Sequence, residues 1–259
     1  RMVAVRNTLF TGDWKTFPDF LLHYLKERMG RDWGQGELAK PEAERHQLFA
    51  LLAAVSRELD QAPVQADGTK AARMTGGCHG VLSLAYDLYL IEHHAEDARA
   101  QEEFQDLLRR LRMDDQFLGA RHEARAAGIL LRAGFTLEWE DERVRQKGGH
   151  GEFVARHPDT GRAFWVECKA RQAGEPDARL RVGSMVRAAL KKATDLERLV
   201  FVELGKGDGA EGEEEGAWAG SAINQLRLLE ESADAADLPP ALVLFSNYQG
   251  EVEALLAGH

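Results

Sequence analysis

The sequence predicts an α/β protein, and three observations carry that reading. In residues 1–114 the apolar side chains recur at helical spacing. From residue 115 onward, helical stretches alternate with short runs of strand length, the order of an α/β sheet. Gly and Pro stand at the joints between these runs. The chain therefore reads as an all-helical N-terminal region, 1–114, followed by an α/β domain, 115–259.

Residues 17–29 (FPDFLLHYLKERM) read as a helix that stops at Gly30. Residues 41–59 read as a second, with Pro41 suited to a first turn. Residues 62–77, rich in Gly, Ala, Asp and Thr, read as a loop. Residues 81–93 form an apolar helix, 102–111 another, and Asp114-Asp115 supply an N-cap for a helix over 116–133 that ends at Gly134. Residues 135–143 alternate as a strand, 147–151 connect, and 152–156 and 162–171 form a hairpin about the turn His157-Pro158-Asp159-Thr160-Gly161. A helix over 180–196, a buried strand over 199–204, an acidic Gly-rich loop over 205–216, a helix over 217–231 and a strand over 241–246 complete the order.

The 259 residues are 44% hydrophobic and 29% charged, the balance of a soluble globular protein. No apolar run approaches the ~18 residues of a membrane span, and the first residues lack the pattern of a secretory leader. Two cysteines, Cys78 and Cys168, provide no disulfide framework and no zinc cluster, so a reducing, cytoplasmic setting is expected. The net charge of −10 is uneven. Residues 1–115 carry 15 Lys/Arg against 19 Asp/Glu, residues 121–195 carry 15 against 11, and residues 196–259 carry 3 against 13. A locally basic segment inside an acidic chain can hold a polyanion, or can be an ordinary solvated surface.

That basic segment contains the run Arg162-Ala163-Phe164-Trp165-Val166-Glu167-Cys168-Lys169-Ala170. On a strand, Trp165, Glu167 and Lys169 share one face. An acid and an ammonium in a core strand need pairing or a metal to offset desolvation. Glu123 is a second anomaly. Its helical neighbours Gly119, Ala120, Ala126 and Ala127 make a small, apolar face, so the acid either serves a site or pairs at the edge with Arg121 or Arg125. Glu152 opens the strand adjacent to the Glu167 strand. Carboxylates so gathered suit Mg2+ or Mn2+.

The ordered set of Glu123 on a helix, Glu152 on a hairpin, then Glu167-Cys168-Lys169, then helix and strand, resembles the PD-(D/E)xK nuclease superfamily. The resemblance spans about residues 115–246. It implies a restriction-endonuclease-like mixed sheet flanked by helices, and Mg2+- or Mn2+-dependent cleavage of DNA or, less often, RNA. It implies Glu152 and Glu167 as metal ligands with the Cys168 carbonyl, Lys169 as the group that orients water or supports the transition state, and Glu123 as an accessory ligand. The family's usual Asp is replaced by Glu152. Pro158-Asp159 is set aside because it lies in the turn, with seven residues before Glu167, whereas 14 residues separate Glu152 from Glu167.

The resemblance further implies a role in restriction or antiphage defence, with region 1–114 serving recognition, homodimer formation or a partner protein. The alternative is a catalytically inactive module of the same fold that binds nucleic acid or a protein. Weaker candidates for substrate contact are His150 (or a plain loop residue), Gln172, and Arg187, Lys191 and Lys192, spaced as a phosphate-tracking helix edge or a solvated face. Trp139 and Trp165 are candidates for base stacking or for the core.

Overall fold

The computed structural model describes residues 1–139, 151–170, 182–205, 217–232 and 237–248. It divides into two compact units, one over Arg1–Gly128 and one that begins at Ile129.

The first unit opens with an antiparallel hairpin, β1 (Met2–Val5) and β2 (Thr8–Thr11), and this corrects the expectation of an all-helical N-terminal region. Val3 pairs with Phe10 and Val5 with Thr8. Alternation buries Val5 and Phe10 and turns Met2 and Leu9 to solvent. The hairpin escapes a sequence reading because its turn has no glycine: Arg6 takes the left-handed conformation instead, at φ 51°.

Helices follow: α1 (Phe17–Met29), α2 (Arg31–Leu38), a 3-10 turn (Glu42–Glu44), α3 (Gln47–Gln61), α4 (Gly76–His94), α5 (Ala98–Leu111) and α6 (Asp114–Arg132), which continues past Gly128. The bounds of α1 agree with the sequence reading. Thr16 and Asp19 cap it reciprocally, with Asp19 N donating to Thr16 Oγ1 at 3.3 Å and Thr16 N donating to the Asp19 carboxylate at 3.1 Å. The helix expected over 41–59 is split, because His46 leaves the helical conformation and its ring Nδ1 accepts from Leu48 N at 3.2 Å, making it the cap of α3. One buried polar cluster in this unit joins α1 to α4. The Tyr24 hydroxyl donates to Glu92 at 2.6 Å and Arg28 Nε donates to the same carboxylate at 2.7 Å. Burial and the adjacent Glu92 charge push the Tyr24 phenol up.

The second unit is a mixed five-stranded sheet in the order β3-β4-β5-β6-β7: Thr136–Trp139, Phe153–Arg156, Ala163–Ala170, Glu197–Glu203 and Ala241–Ser246. The first three strands run antiparallel, and β5/β6 and β6/β7 run parallel. Each parallel step contains a helix in sequence, α7 (Val182–Leu190) and α8 (Ala217–Glu230), as parallel neighbours require. Both helices bury apolar residues against Val200, Val202 and Leu204, which gives this unit a core on one face of the sheet. The mixed α/β sheet expected from the sequence is present. The hairpin between β4 and β5 closes through His157 N to Arg162 O at 2.8 Å, with Gly161 at φ 67°, so Pro158-Asp159 is a turn feature. Among the described residues, no helix is long and apolar enough to cross a membrane.

Candidate functional site

β5 is the central strand, flanked by β4 and β6, and its alternation sets the site. Trp165, Glu167 and Lys169 lie opposite Arg198, Val200 and Val202 of β6, so they share the face on which α7 and α8 pack. Glu167 is consequently 0% exposed. A carboxylate there is tolerated only with charged partners, and it has two. Lys169 Nζ donates to Glu167 Oε1. Lys192 Nζ lies 2.7 Å from Oε1 and 2.8 Å from Oε2. The two lysine side chains keep 27% and 28% of their surface exposed. One buried negative charge thus lies under two partly exposed positive ones, and the three groups together carry a positive excess.

Lys192 follows α7 in a tight turn. Its amide donates to Ala189 O at 3.3 Å and its carbonyl accepts from Arg198 at 3.3 Å, which fixes the backbone from which the ammonium reaches. The ammonium also stands 5.8 Å from the centroid of the Trp165 ring, within cation–π range. Trp165 itself is 2% exposed, so it is a core residue and not a free platform for bases. Gly151 is pressed against it, and a Cβ at that position would fall 2.5 Å from the indole. Gly151→Ala is therefore expected to lower stability by about 1–3 kcal/mol through overpacking, read as a fall in the urea midpoint. An unchanged midpoint would show that the segment before β4 does not lie on Trp165.

Glu152 directly precedes β4. Its amide donates to Val166 O at 3.0 Å, while the ladder pairs Val166 with Phe153. Two residues thus oppose one, the arrangement of a β-bulge, which re-aims side chains at a strand end. Glu152 is half-buried and stands one strand away from Glu167. The Val166 carbonyl faces the β4 edge, and strand alternation turns the Cys168 carbonyl to that edge too.

Glu123 has a different setting. It lies in the first unit, where both its oxygens accept from Arg110, through Nη1 and, at 2.8 Å, Nη2. Arg110 Nε also donates to Asp106 at 3.0 Å. This bidentate pair accounts for a buried Glu123 by itself, with α5 supplying the cation instead of Arg121 or Arg125.

The structure thus brings together Glu167, Lys169 and Lys192, sets Glu152 on the neighbouring strand, and holds Glu123 on Arg110. Arg187, Lys191 and Lys192 do not form one helical edge. α7 ends at Leu190, Lys191 is exposed, Arg187 is half-buried and Lys192 turns to Glu167. The helix expected over 180–196 closes early, where the Lys192 amide bonds back three residues to Ala189 instead of four. The pairing of Lys192 with Glu167 has no local signal, since 25 residues separate them. His150 and Gln172 lie outside the described residues. Among the described residues, no group of three or more His, Cys, Asp or Glu is placed to hold a metal. No family model, curated protein or solved structure matches the chain.

Proposed function

We propose that the protein is a metal-dependent endonuclease that hydrolyses phosphodiester bonds in nucleic acid, DNA before RNA. The observation that carries this reading is the buried Glu167 on the central strand, with Lys169 two residues on closing onto its carboxylate. The order of the sheet, three antiparallel strands followed by two parallel ones, and the bulge that sets Glu152 beside β5 support a restriction-endonuclease-like arrangement.

The donor chemistry fits Mg2+ or Mn2+: the Glu167 and Glu152 carboxylates and the Cys168 carbonyl are hard oxygen donors drawn from two adjacent strands. When bound, such an ion lowers the pKa of a water and polarises a phosphoryl oxygen. The chain's own contribution is electrostatic. Lys169 holds positive charge beside the carboxylate, where it can offset charge that grows on a phosphate. The basic excess of residues 121–195 supports local contact with a phosphate backbone. A place in restriction or antiphage defence, and a recognition, dimer or partner role for the N-terminal unit, follow from the resemblance alone.

One observation favours the second reading, a non-catalytic module. Both Glu167 oxygens already accept from ammonium groups, so the carboxylate is fully paired as it would be in a structural polar core. Cleavage decides between them. The wild type is incubated with plasmid DNA and with RNA in Mg2+ or Mn2+, beside Lys169→Ala. The expected result is cleavage reduced about 10²–10³-fold in the variant. A wild type that neither cleaves any polymer nor binds metal leaves only the module.

A further inference from the structure

Lys192 is a specific complication for any ion on Glu167. We propose that its ammonium is a resident counter-cation, which holds the carboxylate when no divalent ion is bound and leaves it when one arrives. The inference rests on the nuclease reading and assigns to Lys192 a role distinct from phosphate tracking along a helix.

Three features of the site support it. Glu167 is 0% exposed, so its charge requires a cation at all times. Lys169 covers Oε1, whereas Lys192 covers both oxygens, at 2.7 Å and 2.8 Å, and so occupies the positions that an ion would use. Two ammonium groups and a doubly charged ion repel one another too strongly to share one carboxylate in a desolvated site. One lysine must yield, and Lys192 is built to do so. Its backbone is fixed by Ala189 and Arg198, but its side chain is 28% exposed and flexible, so the ammonium can swing to water without moving the strand. While it is on the carboxylate the ammonium also stands 5.8 Å from the Trp165 ring centroid, so its departure changes the field at that ring.

The test is a Mn2+ titration of the metal-free full chain, followed by electron paramagnetic resonance of the free ion, in the wild type, Lys192→Met and Lys192→Arg. Removing the competing charge is expected to tighten Mn2+ binding about tenfold or more in Lys192→Met, with Lys192→Arg no tighter than the wild type. Equal or weaker binding by Lys192→Met overturns the inference, because the lysine would then be neutral to the ion or help to hold it. Tryptophan emission gives a second readout should Lys192→Met fail to fold. Mg2+ is expected to change wild-type emission in a manner lost in Trp165→Phe, since the ammonium leaves that ring. A Mg2+ titration with no Trp165-dependent change also overturns it. The two proposals fail separately. Lys169-dependent cleavage without tighter binding in Lys192→Met removes only the counter-cation role, whereas an absence of both metal binding and cleavage removes both.

Discussion

Glu167→Ala is expected to lower stability by about 2–3 kcal/mol and to abolish any cleavage. Removing one partner of a buried ion pair typically costs about 3–5 kcal/mol, because the other charge is left desolvated. The cost here falls below that range since Lys169 and Lys192 are each more than a quarter exposed and can turn to water. Part of it remains, because the two ammonium groups lose the charge that separates them and the helix-covered face gains a void. Lys169→Ala is expected to cost only about 1 kcal/mol, since Lys192 stays on the carboxylate. That difference makes Lys169→Ala the better functional probe and Glu167→Ala the better structural one. Urea denaturation at neutral pH measures both. A Glu167→Ala midpoint equal to that of the wild type would mean that the carboxylate is not enclosed between two cations, and the electrostatic basis of the site would be lost.

The features legible in the sequence are those with a local cause. The hairpin around Pro158-Asp159, the alternation that sets Glu167 and Lys169 on one face, and the bounds of α1 and β7 follow from turn chemistry, period-two patterning and caps. The hidden features depend on tertiary placement or on conformations without a compositional mark. The N-terminal hairpin turns through Arg6 at positive φ instead of a glycine. α2 contains Gly34 and Gly36, which argue against a helix from composition, yet it forms between Gly30 and Ala39. The break before α3 depends on a histidine ring acting as a cap. At the site, the Glu-x-Lys pair is visible because it lies within three residues of one strand. Lys192 is not, because its role exists only once α7 returns the chain to β5.

Glu123 illustrates how one anomalous residue admits two physical explanations, and Arg110 separates them. Arg110→Ala is expected to destabilise the protein by about 3 kcal/mol, because a bidentate guanidinium is removed from a carboxylate whose side chain is only 6% exposed. Glu123→Gln should cost less, since the amide keeps the volume and one acceptor for the guanidinium. In the cycle completed by Arg110→Ala with Glu123→Gln, the second substitution should add little to the first, giving a coupling energy of about 1–3 kcal/mol. Such coupling, with cleavage by Glu123→Gln falling no further than its stability, would assign Glu123 to the packing of α5 against α6. The opposite pattern is a Glu123→Gln variant with an unchanged urea midpoint, near-zero coupling to Arg110 and cleavage lost as completely as in Lys169→Ala. That result would return Glu123 to the reaction and make the Arg110 pair a resting arrangement of a ligand.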